Sequence, residues 1–324
     1  MLNAGITPRL AAPPLELLRS SEMVSSTVLL RAWRRGEVVR VIPGVFAETS
    51  RWSQIPPWDR YLARAYAVAL THPASVFCGI TAAALRGVFL GRQQDPILIL
   101  DPDRTSRICG PVRVLTSADA RTIDEIDGIL LTSAGDTIVD VARTVAPAAG
   151  LAYADALLRR SRDLAPAQLP AINESRLSSR GRRRARWALA RATGVPESPL
   201  ESLSLAAIEG AGYELPELQV TFVTDGIADR ADFFWRSRNL VGEADGDVKY
   251  TGEFGDPAEA ILNEKRREAR LQRHIAGRIR WGWSELRDMD PFLEILGTAR
   301  VPRVAPADPF MLASLRDALR ARTR

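Results

Sequence analysis

Apolar and polar positions alternate along this chain with a changing period, and each change marks an element. After Pro13-Pro14 a short helix is expected over residues 15–19. A second follows over 28–35, which Ser25-Ser26-Thr27 can cap and whose apolar side is Leu29, Leu30 and Trp33. Gly36 ends it. Residues 38–42, Pro43-Gly44 and 45–47 then read as strand, turn and strand. A helix over 57–72 enters through Pro56-Pro57 and turns Tyr61, Ala65, Val68 and Ala69 inward. Further on, the pattern predicts a helix over 81–87, strands over 97–100, 112–115 and 129–131, and helices over 134–145 and 151–161.

Residues 162–196 look like a basic connector with a helix over 182–192. From Pro199 the order is helix (200–210), strand (218–223), a hairpin, a long helix (257–275) and a strand (278–283). The hairpin is Ala231-Asp232-Phe233-Phe234-Trp235 and residues 239–250, with Asp232 opening its first strand. Beyond 287 a proline-bearing loop and a short basic helix are expected. The sum is an α+β, multidomain chain. Residues 1–50 form a winged-helix unit (helix, helix, β-hairpin) and 51–165 a mixed α/β middle domain. An Arg-rich connector spans 166–197, an αβββαβ domain 198–290, and a tail 291–324.

Composition narrows the chemistry. With 46% hydrophobic and 26% charged residues, the 324-residue chain is of ordinary globular make-up. Neither a bilayer-spanning run nor a secretory leader is read, so the cytoplasm is the expected compartment. Cys78 and Cys109 are too few for a zinc site and are read as buried reduced thiols. His72 and His274 lie far apart, which argues against Ser-His-Asp or Cys-His catalysis. Asp136 and Asp140 are read as a helix N-terminal acid and a surface pair. The net charge of +5 is arginine-rich and clustered, which points to a polyanion such as DNA. The candidate contacts are Arg31, Arg34 and Arg35 on the second helix, Arg40 on the wing, and Arg182, Arg183 and Arg184 in the connector.

The strongest chemical signal is acidic. Glu243 and Asp245 are two apart and share a strand face, and Asp232 can join them from the neighbouring strand. Carboxylates this close repel unless one is protonated or a cation lies between them, and such oxygen donors suit Mg²⁺ or Mn²⁺. Plainer readings stand beside this one. Asp245-Gly246 is a turn signature, Glu201 suits a helix N-terminus, and Glu264 to Glu268 can form a salt-bridged surface.

Two resemblances rest on these residues. In order, SPLES, ELQV, ADFFW, NLVGEADGDVKY, NEKRREARL and RIRWGW resemble the restriction-endonuclease-like domain related to very-short-patch-repair endonucleases, in the PD-(D/E)xK superfamily. LLRAWRRGEVVRVIPGVFA, with GITAAALRG and DTIVDVAR downstream, resembles the winged-helix region of AbiEi-type antitoxins, which can act as repressors. The first resemblance implies Mg²⁺-dependent hydrolysis of DNA phosphodiesters, in repair or defence. Asp232 would be the hairpin aspartate, Glu243 the first acid of the second motif and Glu201 the helix acid, with Asp245 a further metal ligand. Asp245 stands where that family has lysine, so Lys249 or Lys265 would take the lysine's role, with Arg266, Arg267 and Arg270 on neighbouring phosphates. The second resemblance implies a non-catalytic repressor that keeps only the nuclease fold, with a nucleotidyltransferase toxin as partner. A middle domain that docks another protein is a third expectation.

Overall fold

The computed structural model describes residues 9–19, 26–92, 94–101, 105–246 and 257–322 of a mixed α/β protein. No helix among these residues is long and apolar enough to cross a membrane. Residues 1–145, 157–192 and 320–324 form one compact unit, and 146–156 with 193–319 form another. The basic stretch expected as a connector therefore falls mainly within the first unit, and most of the expected tail within the second.

In the first unit, β1 (Leu18–Arg19), β3 (Val45–Glu48) and β2 (Val38–Ile42) make an antiparallel sheet beside α1 (Ser26–Arg34). Residues 15–19, expected as helix, instead supply β1. Leu17 packs into the cluster around Tyr61 and Leu85, while Leu18 turns to Leu29, Val38 and Phe46. Neighbours that face opposite ways have the strand period, not the helical one. Gly36, at φ +76°, lets Glu37 N–H close back on Ala32 O and end α1.

Next come α2 (Thr49–Gln54), α3 (Pro57–Thr71), β4 (Val76–Phe77) and α4 (Gly79–Leu85). Strands β5 (Ile97–Leu100), β6 (Arg107–Cys109), β7 (Val112–Leu115), β8 (Ile123–Ile126) and β9 (Ile129–Thr132) complete a sheet ordered β6-β7-β5-β4-β9-β8. Tyr61, fully buried, shares a 2.6 Å hydrogen bond with the Thr81 hydroxyl and stacks on Phe89. The thiols differ. Cys78 is buried, and burial pushes its pKa up to about 12, whereas Cys109 is exposed, contrary to expectation. One thiol per chain should therefore react with Ellman's reagent in the native state, and Cys78 only after denaturation. Two fast thiols would contradict this packing.

Helices α5 (Ala134–Thr144), α6 (Pro147–Arg160), α7 (Leu169–Ser175) and α8 (Arg182–Leu189) follow, with α6 contributing residues to both units. Asp136 and Asp140 form no surface pair. Asp136 is buried against Arg176, and Asp140 holds Arg121 at 2.8 Å. Burial of a carboxylate is tolerable only with such a partner.

The second unit carries α9 (Pro199–Gly210), β10 (Glu217–Thr224), β11 (Ile227–Trp235), β12 (Leu240–Ala244), α10 (Pro257–Leu271) and β13 (Gly277–Trp281). Its sheet runs β10-β11-β12-β13, with two antiparallel pairings and then a parallel one. Asp225 and Gly226, both at positive φ, form the β10–β11 turn, the backbone that suits a right-twisted hairpin. Asp232 thus lies inside β11 rather than at its start. Helices α11 (Trp283–Asp288), α12 (Asp290–Thr298) and α13 (Pro309–Arg322) occupy the region expected as loop and tail. Phe292, Leu296, Met311, Leu315 and Leu319 are buried there, at helical spacings.

Candidate acid–arginine site

A layer of aromatic rings determines where the acids stand. Phe233, Trp235 and Phe292 surround Trp281, whose indole N–H donates to Ser204 Oγ of α9 at 2.8 Å. Gly242 sits between Trp235 and Trp281, where a Cβ would come within 2.8 Å of both rings. This packing fastens α9 to the sheet and brings Glu201, near the N-terminal end of α9, to the strands. Ser198 Oγ caps α9 by accepting from Glu201 N–H at 3.2 Å.

The β11–β12 ladder runs from Trp235↔Leu240 to Phe233↔Gly242 and then stops. One step further, Asp232 stands opposite Glu243. Asp232 Oδ2 there accepts from Ala244 N–H at 3.0 Å, so a side chain takes over where strand pairing ends. Glu201 Oε2 accepts from Glu197 N–H at 2.8 Å and from Gln219 Nε2 at 2.7 Å. Gln219, at φ +53° within β10, also hydrogen-bonds Asp232, and its Oε1 is buried without a partner. A non-glycine residue in the left-handed region of a strand is strained, and here the strain puts the amide between two acids. Behind Glu201, the buried Asp155 accepts from Thr193 N–H, Gly194 N–H and Ser202 Oγ. Burial raises its pKa against those hydrogen bonds, and Glu201 adds to the rise.

The electrostatics divide the site. Burial pushes the Asp232 carboxyl up to about 6 against the bonds from Ala244 and Gln219, and the charges of Glu201 and Glu243 push it the same way. Among the described residues no arginine or lysine pairs with Asp232. Glu243, 3% exposed, is surrounded by cations. Arg280 Nε lies 2.7 Å and Arg278 Nη1 3.2 Å from its Oε2, and Arg267 Nη2 lies 2.7 Å from its Oε1. Glu264 and Glu268 of α10 pair with the same arginines, and Asp245, exposed, stands 3.5 Å from Arg280.

The structure therefore brings Asp232, Glu243 and Glu201 together, with Asp245 at the rim. Lys265 is exposed on α10 and makes no hydrogen bond or ion pair among the described residues. Lys249 lies outside the described residues. Of the α10 arginines, Arg266 is exposed, Arg267 reaches Glu243, and Arg270 makes two bonds to Asp229. Among the described residues no three Asp, Glu, His or Cys side chains are arranged to hold a metal ion. The carboxylates of Asp232 and Glu201 are hard-cation donors, and Gln219 would add its unpartnered Oε1 only with the amide turned over from the orientation in which Nε2 faces the two acids. Glu243 as placed fits less well: Arg278 and Arg280 donate to its Oε2, and Arg267 stands 2.7 Å from Oε1, although no well-aligned hydrogen bond satisfies that buried oxygen.

In the first unit, Arg31, Arg34, Arg35 and Arg40 are all exposed, with Arg40 over the Trp33 ring and Arg35 bonded to Glu37. Arg182 donates to Arg176 O and Ser178 O, and Arg184 to Thr144 O, so both fasten local backbone. Only Arg183 of that trio is exposed without a partner among the described residues. No family model matches the chain, and neither the curated proteins nor the solved structures include a significant match.

Proposed function

We propose that the second unit is a phosphodiester-handling domain of the restriction-endonuclease-like kind. More specifically, we infer a DNA-binding protein with a divalent-metal-dependent nuclease site in that unit and a winged helix in the first. The observation that carries this reading is the division of the site. Asp232 is half-buried among acids with no cation on it among the described residues, and three arginines pair with Glu243. Oxygen donors for a cation beside guanidinium groups for a phosphate are what diester hydrolysis requires. The helix–three strands–helix–strand order, with its last pair parallel, supports the same reading, as do the exposed Arg31, Arg34 and Arg40 beside Trp33 for the winged helix.

Asp232 and Glu201, spaced by Gln219, would hold the metal, which when bound supplies a Lewis acid and a more acidic water. The arginine cluster around Glu243 would supply the positive charge that faces the phosphate. Lys249 or Lys265 would act as the further cation the resemblance implies. A second reading, a non-catalytic repressor of the antitoxin kind with a nucleotidyltransferase partner, is favoured by the arginines that occupy Glu243. Nicking of supercoiled plasmid in Mg²⁺ or Mn²⁺ tests the choice. Cleavage abolished by EDTA and by Asp232→Asn is the expected result. Cleavage that survives Asp232→Asn would place the chemistry elsewhere. DNA binding without cleavage of any DNA form would leave the repressor.

A further inference from the structure

Of the arginines around Glu243, Arg280 differs from the other two in how it is held. β12 and β13 run parallel with Glu243 directly opposite Arg280, so the contact follows from strand register rather than from a chance rotamer. The Arg280 side chain is 39% exposed, against 28% for Arg267 and 16% for Arg278. Arg267 is further tied to Arg230 O at 2.9 Å, and Arg278 to Glu268. Arg280 spends Nε on the buried Glu243 and Nη2 on Glu264, and no described contact uses Nη1. Its other partners, Glu264 and Asp245, are themselves 42% and 54% exposed. Contacts of that kind are worth little and exchange readily with a competing anion. The two hydrogen bonds and nearby acids hold the guanidinium charge more firmly than burial opposes it, so it stays cationic.

Resting on the nuclease-like reading above, we propose that Arg280 is a phosphate-binding residue of this site: Nε stays on Glu243 while the outward Nη edge takes a DNA phosphodiester, displacing Glu264. A guanidinium can serve two anions at once because its donors point along separate edges. The phosphate is thereby set beside the acids without uncovering the buried carboxylate of Glu243.

The test is binding of a fluorescent 20-base-pair duplex by anisotropy across a potassium chloride series in EDTA. The full chain carries Arg31→Gln, Arg34→Gln and Arg40→Gln, so that the first unit does not dominate the signal. Adding Arg280→Gln should weaken binding about tenfold at low salt and lower the slope of log affinity against log salt by about one. Arg236→Gln, which removes a 70%-exposed arginine outside the site, should change neither. Should Arg280→Gln not fold, Glu264→Gln provides the converse, since freeing Nη2 should tighten binding about threefold, while Glu217→Gln should not. A slope unchanged by Arg280→Gln, or an affinity unchanged by Glu264→Gln, overturns the assignment of Arg280 alone. No duplex binding by the parent chain overturns the DNA-handling reading of the second unit, and this inference with it.

Discussion

At pH 8 the Asp232→Asn protein is expected to be more stable than the native chain by about 2 kcal/mol, even though it should no longer nick DNA. The sign follows from the raised carboxyl. Folding lifts the Asp232 pKa from 3.8 to about 6, so the folded state holds the proton longer than the unfolded one. Stability is then lost as pH rises between those values, and the loss is complete above the upper one. A rise of that size corresponds to about 3 kcal/mol, and solvent screening at this half-buried group reduces it to about 2 kcal/mol. Asparagine keeps an oxygen for Ala244 N–H and removes the charge. Urea titrations at pH 8 and pH 4 would show the gain in full at the first and only a small part of it at the second. Equal stability of the two proteins at pH 8 would mean that Asp232 is compensated by something other than its own protonation.

Glu243→Gln should do the reverse and cost about 3 kcal/mol. The buried carboxylate is the common counter-charge of Arg267, Arg278 and Arg280. Without it the guanidiniums repel across the β12–β13 edge, and the half-buried Glu264 and Glu268 and the exposed Asp245 offset little of that. Urea unfolding at pH 7 measures the loss. A change below about 1 kcal/mol would show that those rim acids suffice. The contrast also matters for the nicking assay, because activity lost in a Glu243 variant can reflect unfolding, whereas activity lost in Asp232→Asn cannot.

Much of the architecture is legible in the sequence because its pattern is local. The period-2 run before Pro43-Gly44, the capped apolar stripe after Ser198 and the strands around Phe233 and Val241 each follow from residues within one element. What escapes has physical reasons. Residues 15–19 carry leucines that serve two different clusters, which no local period reveals. Asp225-Gly226 is a hairpin turn by composition, yet the acids downstream are the louder signal. Residues 290–298 begin with Asp-Pro and repeat apolar positions at helical spacing, a signal hidden behind the later prolines.

At the site, Asp232, Glu201 and Glu243 can be picked out because charge amid apolar strand residues is costly. Gln219 cannot, since an uncharged amide in a strand looks ordinary until its φ and its neighbours are seen. Asp155 comes from a helix far back in the chain, and only tertiary packing brings it near Glu201. Arg278 and Arg280 fall on an expected strand, but their pairing with Glu243 depends on a parallel register that sequence spacing does not state.

That parallel register has a consequence for how the protein is made. A parallel neighbour cannot be reached by a tight turn, and here the crossover includes α10. Glu243 and Arg280 are 37 positions apart. During synthesis, Glu243 leaves the ribosome with Asp232 beside it while the arginines of β13 are still inside the exit tunnel. Until β13 emerges, β12 is a sheet edge open on one side whose acid lacks Arg278 and Arg280, and a nascent chain stalled in that interval is a target for chaperones and proteases.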